Sequence, residues 1–264
     1  MTFLHYVAAA ALGFAAVAQG AEAPAAPAKP FRFILVGDST MANTTGYGDA
    51  LCARIIRSDT CLNLAKGGRS SGSFHAEGRW DEVQGLLRGS AAYRATYVLI
   101  QFGHNDQPGK PGRSTDLATE FPANMARYVQ EVKALGGIPV LVTPLTRRSF
   151  HNGVLENNLQ PWADVVRATA AAQHSALLDL NADSYATVQA MGQDDADSLA
   201  MAPRPANYDA PSIGKVESAG AVKTTFDRTH LGAKGSALFS AMVEQELKRA
   251  LPETASHFRS EEKQ

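Results

Sequence analysis

Two kinds of apolar pattern take turns along the chain. Short unbroken apolar runs, closed by glycine or polar residues, read as buried strands, and the stretches between them, where apolar residues recur every three or four positions, read as helices. FRFILVG, Phe31 to Gly37, is the first strand-like run. CLNLA (Cys61 to Ala65), TYVLIQFG (Thr96 to Gly103), GIPVLVTPL (Gly137 to Leu145) and SALLDLN (Ser175 to Asn181) follow. GDALCARII, from Gly48, reads as the helix after the first strand. Between the third and fourth strands Met125, Tyr128, Val129, Val132 and Leu135 share a helical face, and Gly136 stands where a helix stop belongs. A last helix is expected from about Gly232 to Leu251, with Phe239, Val243, Leu247 and Leu251 as the stripe that packs on a sheet.

Strands alternating with helices imply an α/β fold with a five-stranded parallel sheet, helices on both faces and right-handed crossovers. In such a three-layer sandwich, ligands bind beyond the carboxyl ends of the strands. Ser39, Gly68 and Asn105 each fall just after one of the first three strands. The fold would gather them in one crevice.

Composition changes this picture mainly at the ends. Ala8 to Ala18 form an apolar run too short to span a bilayer, and Ala21-Glu22-Ala23 offers an A-x-A cleavage site, with cleavage after Gly20 as the rival. Residues 1–23 are read as an export signal, 24–30 as an Ala/Pro linker, 31–252 as a single domain and 253–264 as a polar tail. The mature protein is expected to be periplasmic or secreted, with no membrane attachment. The chain carries 25 basic and 26 acidic residues, a net charge of −1, which argues against a nucleic-acid surface. Cys52 and Cys61 are the only cysteines. They suit one disulfide in an oxidising compartment, with two buried thiols as the alternative.

Four segments carry candidate chemistry. GDST presents Ser39 in a turn after the first strand, although such a turn also suits Ser39 or Thr40 as a helix cap. DRTH places Asp227 three residues before His230, a spacing that lets the carboxylate hold one ring nitrogen while the other faces a serine. A capping aspartate in a surface loop explains the same letters. Gly68 in AKGGRS and Asn105 in FGHND suit oxyanion donors, or else a flexible loop and an Asx turn. Asp38 and Asp106 are read as turn residues and His104 as a packed, hydrogen-bonded support. Arg69, Arg147 and Arg148 lie near strand ends, where guanidinium groups would pair with carboxylates of an acidic polysaccharide, or simply face solvent.

These blocks, with NLAKGGRS (Asn63 to Ser70), EGRWDEV (Glu77 to Val83), IQFGHNDQ (Ile100 to Gln107), TPLTRRSF (Thr143 to Phe150) and DRTHLGAKG (Asp227 to Gly235), resemble the SGNH or GDSL hydrolases, in particular the rhamnogalacturonan acetylesterase branch. The resemblance implies a flavodoxin-like sheet, Ser39 as nucleophile, His230 as base oriented by Asp227, Ser39, Gly68 and Asn105 as oxyanion donors, and no metal or cofactor. It implies deacetylation of a plant cell-wall polysaccharide or its oligosaccharides. The chain departs from the pattern between about Gly192 and Phe226, a Pro- and Asp-rich stretch expected as a long loop that serves as a lid or a substrate wall.

The same letters bear on other chemistries. Gly68, Ser70 and Gly72 satisfy G-x-S-x-G, which makes Ser70 a competing nucleophile, but no helical apolar period follows it. A metal-dependent phosphoesterase would need further ligands than Asp38, His104 and Asp106 supply. A lipid esterase or thioesterase of the same fold would need an extended apolar channel, and a carbohydrate-binding module would not need the full catalytic set.

Overall fold

The computed structural model describes residues 1–2, 29–208 and 226–260. Strands β1 (Phe31–Gly37), β2 (Thr60–Asn63), β3 (Ala95–Gln101), β4 (Ile138–Val142) and β7 (Ala176–Leu178) form one sheet, and Phe150–His151 (β5) with Val154–Leu155 (β6) forms a small hairpin. The large sheet has the order β2-β1-β3-β4-β7 and is parallel throughout. That is the flavodoxin-like order, in which connections leave β1 and β3 in opposite directions and open a crevice between them.

Every residue of β1 is buried, as a central strand requires. Its alternate side chains feed two cores. Phe31, Phe33 and Leu35 join Tyr97, Leu99, Leu51, Phe239 and Val243 on one face. Ile34 and Val36 join Val98, Ile100, Met125, Val129 and Val132 on the other. Helices α1 (Gly48–Arg54) and α7 (Ala233–Ala250) cover the first face, and α3 (Arg79–Arg88) and α4 (Glu120–Ala134) the second. Helices α2 (Ser71–Ala76), α5 (Gln160–Ala172) and α6 (Leu180–Asp197) complete the set. The α/β architecture expected from the pattern is present, with Gly136 at φ 75° just past α4.

β1 fills its apolar run, but the later strands stop short of theirs. The fourth stops at Val142 because Pro144 has no N–H to donate to a ladder. The fifth stops at Leu178 because Leu180 and Asn181 already begin α6, where the Asn181 N–H donates to Thr143 Oγ1 at 2.7 Å. The stretch from Gly192 onward is not loop at its start, since α6 continues to Asp197 across a kink at Gly192 (φ 73°). Asp197 there receives Arg204 and Arg228, and the Tyr208 ring meets Phe226 edge-on at 4.6 Å. Residues 209–225 lie outside the described residues, as do 3–28, which hold nearly all of the expected signal and linker.

The expected polar tail is corrected more sharply. A 3₁₀ turn spans Pro252–His257, the His257 ring stacks on Phe31 at 3.7 Å, and Phe258 packs beside Phe33 and bridges to Ile55. The domain therefore runs past residue 252. Cys52 on α1 and Cys61 on β2 are joined by a disulfide.

Candidate active site

The Ser39 turn is built by its neighbours. Gly37 is obligatory, because a Cβ there would sit 2.8 Å from the Gln101 carbonyl. Asp38 Oδ1 accepts from the Thr40 N–H at 2.9 Å and from its hydroxyl at 2.8 Å, so Asp38 closes its own turn, as expected. Gln101 Nε2 donates to Thr40 Oγ1 and the Tyr47 hydroxyl to Gln101 Oε1, locking the base of the turn in a buried network. Ser39 itself is 9% exposed, enough to open on a cavity of about 690 Å³ lined also by Gly68, Asn105, Lys66, Arg113 and His230.

The chain between β7 and α7 brings His230 to that serine from 191 residues away. His230 Nε2 lies 2.9 Å from Ser39 Oγ, and Nδ1 lies 3.0 Å from Asp227 Oδ2. Asp227 Oδ1 also accepts the backbone N–H groups of Thr229 at 2.8 Å and His230 at 2.7 Å. Burial works to raise the Asp227 pKa, yet the His230 ring and the two amides outweigh it and hold the carboxyl well below its ordinary value. Asp227 stays ionised at any pH where the imidazole can act as base. Thr45 ties the halves together, its hydroxyl donating to the Ser39 carbonyl at 2.7 Å and its carbonyl accepting from Leu231 N–H at 2.9 Å.

The candidate donors arrive on neighbouring loops. Gly68 takes φ 79°, a left-handed conformation that glycine adopts without strain. The Lys66 N–H donates to the Gly37 carbonyl at 2.9 Å, which carries the β2 pairing to the rim of the crevice. Asn105 Nδ2 donates to the Arg69 carbonyl at 3.0 Å, and its second amide hydrogen remains for a ligand.

Sequence reasoning placed Ser39, Gly68, Asn105, Asp227 and His230, and the structure brings all five together. It separates the arginines. Arg69 lines the cavity while paired with Glu77 and the Gly67 carbonyl. Arg147 donates to Asn158 Oδ1 at 2.8 Å and to the His104 carbonyl, away from the cavity lining. Arg148 is fully buried and donates to the carbonyls of Asp227, Thr229 and His230, so it supports the histidine loop and reaches no substrate. Its own N–H donates to the Arg228 carbonyl at 2.9 Å. Burial lowers its pKa to about 10, against the pull of Asp227 and Asp197.

Ser70 is the buried N-cap of α2, accepting from the Ser73 N–H within a reciprocal capping box, and does not line the cavity. His104 is buried with Nδ1 3.4 Å from Asp38 Oδ2, and burial lowers its pKa from the ordinary value; it is packed as expected, but neither ring nitrogen makes the expected hydrogen bond among the described residues. Asp106 lies in a turn, as expected, its N–H donating to the Gly103 carbonyl at 3.2 Å, but its carboxylate is also a fully buried acceptor for the Ser71 N–H, the Ser71 hydroxyl and the Thr115 hydroxyl, which the turn reading did not anticipate. Nothing in its neighbours' letters except the adjacency to Asn105 signalled this, nor the linking part of Thr45.

Similarity to known proteins agrees with the geometry. Residues 35–238 match the model of the GDSL-like Lipase/Acylhydrolase family. The chain is 31% identical over 179 residues to the rhamnogalacturonan acetylesterase RhgT of Bacillus subtilis (strain 168), covering 65% of this chain and 74% of that protein. It is 30% identical over 167 residues to the probable rhamnogalacturonan acetylesterase YesY of the same strain, covering 61% and 75%. Among solved structures, YXIM of Bacillus subtilis superposes with a TM-score of 0.64 at 24% identity, over 88% of this chain and 59% of that longer one. An acetylxylan esterase of Geobacillus stearothermophilus, Axe2, superposes at 0.57 and 15% identity over 84% and 95%, a likeness of fold. With a family match spanning the sheet and the site together, the chain belongs to the GDSL-like lipase/acylhydrolase family and is a carboxylic ester hydrolase.

Proposed function

We propose that this protein is an exported serine acetylesterase that removes acetyl groups from a plant cell-wall polysaccharide, acetylated rhamnogalacturonan or a related pectin. The observation that carries this is the continuous chain of contacts from Asp227 Oδ2 through the His230 ring to Ser39 Oγ, opening on a shared cavity. Ser39 attacks the acetyl carbonyl as His230 takes its proton, and the imidazolium that forms is stabilised by ionised Asp227. The oxyanion is met by the N–H groups of Ser39 and Gly68 and by Asn105 Nδ2. His230 returns the proton to the departing sugar hydroxyl, and water then repeats the attack on the acetyl-serine. The cavity wall mixes Asn43, Thr44, Asp49 and Asn63 with a few aliphatic side chains. Such a lining suits a hydrated sugar better than a long acyl chain. The names of the two Bacillus relatives and the leader-like first residues support the substrate and the export.

Acetate release from acetylated rhamnogalacturonan, acetylated xylan and small acetylated sugars, measured side by side, tests the reading. Ser39→Ala should abolish release, and rapid acid quench of the parent should trap one acetyl group on the Ser39 peptide. Asp227→Asn should cut turnover by about 10²–10⁴-fold with the fold intact. Undiminished release by Ser39→Ala, or release that EDTA abolishes and a divalent ion restores, would overturn the serine mechanism.

A further inference from the structure

Asp106 has no part in the relay just described, yet its carboxylate is fully buried one residue after Asn105. Oδ1 accepts the Ser71 N–H at 3.0 Å, the Ser71 hydroxyl at 2.5 Å and the Thr115 hydroxyl at 2.9 Å. Asn124 Nδ2 in turn donates to Ser71 Oγ at 3.1 Å, anchoring the group to α4. One residue earlier, Asn105 Nδ2 donates to the Arg69 carbonyl. Two consecutive residues of the loop after β3 thus bond Arg69, in the loop after β2, and Ser71, the first residue of α2 that ends that loop, one rung on each side of Ser70. Gly68 sits immediately before the first rung. Within its own loop the Asp106 backbone is held as well, its carbonyl accepting the Thr115 N–H at 3.0 Å.

We propose that Asp106 is a positioning residue for the oxyanion donors: its carboxylate bolts the loop carrying Gly68 to the loop carrying Asn105 and fixes the spacing between the two donors. The proposal rests on the reading of Gly68 and Asn105 as those donors. Each donor is on a different loop after a different strand, and neither loop alone sets its distance to the other. An oxyanion hole works because its donors are already aimed where charge develops, so a few tenths of an ångström between the loops costs rate and not ground-state affinity. A carboxylate serves better than an amide here, because it accepts several hydrogen bonds at once with no donor to place. Burial pushes the Asp106 pKa up to about 6, against the pull of the Ser71 and Thr115 donors, so holding it ionised costs the fold stability. An isosteric neutral group would be tolerated if packing alone were needed.

The test compares steady-state hydrolysis of a small acetyl ester by the parent, Asp106→Asn, Asn105→Ala and the double variant, with thermal unfolding of each. Asp106→Asn is expected to lower kcat by about 10–100-fold while KM stays within about twofold. Asn105→Ala should lower kcat by about 10²-fold or more, and adding Asp106→Asn to it should cost less than about threefold further, since the bolt has then lost one of the donors it aligns. If Asp106→Asn does not fold, Ser71→Ala removes one hydroxyl from the bolt and should still lower kcat selectively. The proposal is overturned if Asp106→Asn keeps its kcat, if its loss falls on KM, or if the two substitutions multiply in full. Should Asn105→Ala keep its kcat, the oxyanion assignment itself fails, whatever Asp106→Asn does.

Discussion

Arg148 marks the limit of what residue letters convey. Its place near a strand end suits either an acidic sugar or solvent, but its guanidinium turns inward under the histidine loop. Which way a side chain points at a strand end is decided by what the next loop leaves unsatisfied. Here three carbonyls of the Asp227 to His230 loop face inward, and a planar fork with five donors satisfies them together. Arg148→Lys keeps the charge and loses the fork, so it should cost about 1–3 kcal/mol of stability and lower kcat by loosening the Asp227–His230 geometry. Urea unfolding and steady-state kinetics on the same preparation check both, and a variant that matches the parent in each would show that the loop holds its shape without the fork. Ser39, Asp227 and His230 were legible because each stands in a short motif whose spacing already implies its partner. Asp106 was not, since an aspartate beside a candidate asparagine reads as a turn until its burial is known.

At the scale of elements, the alternation of apolar runs and helical stripes predicted the sheet, because a parallel strand covered on both faces must be apolar at nearly every position. Boundaries were lost wherever tertiary contacts override local pattern. The Gly192 to Asp197 stretch looked like loop because glycine and aspartate discourage helix, but its last residue pairs with Arg204 and Arg228, contacts that no local reading anticipates. Helix α2 shows the opposite case. Its six residues give a weak periodic signal, and it begins where Ser70 caps it. Ser70→Ala should therefore cost about 1 kcal/mol through loss of the cap, with turnover reduced far less than by Ser39→Ala. Denaturant unfolding with an acetate-release assay distinguishes the two serines, and loss of activity in Ser70→Ala comparable to that of Ser39→Ala would revive the nucleophile-elbow reading.

Over the whole molecule, the distant ends of the domain close on each other. The segment after α7 packs its aromatic residues against β1, and α7 itself buries a carboxyl facing the start of α6. Glu246 is 4% exposed, with Oε1 lacking a hydrogen-bond partner among the described residues. Burial, reinforced by Asp183 and Asp179 and only partly offset by Arg249, raises its pKa from 4.5 to about 8. The folded protein thus binds a proton that the unfolded chain releases near 4.5, so this group makes stability fall as pH rises from about 4.5 to about 8. The slope it contributes is at most about 1.4 kcal/mol per pH unit within that window. Glutamine keeps the neutral shape without the ionisation. Glu246→Gln should match the parent at pH 5 and exceed it by a few kcal/mol at most above pH 8, estimated from that slope. Urea unfolding of both proteins at the two pH values decides it: an equal difference at each pH would mean that Glu246 finds water or a partner once charged, and that the interior between α6 and α7 is wetter than the packing implies.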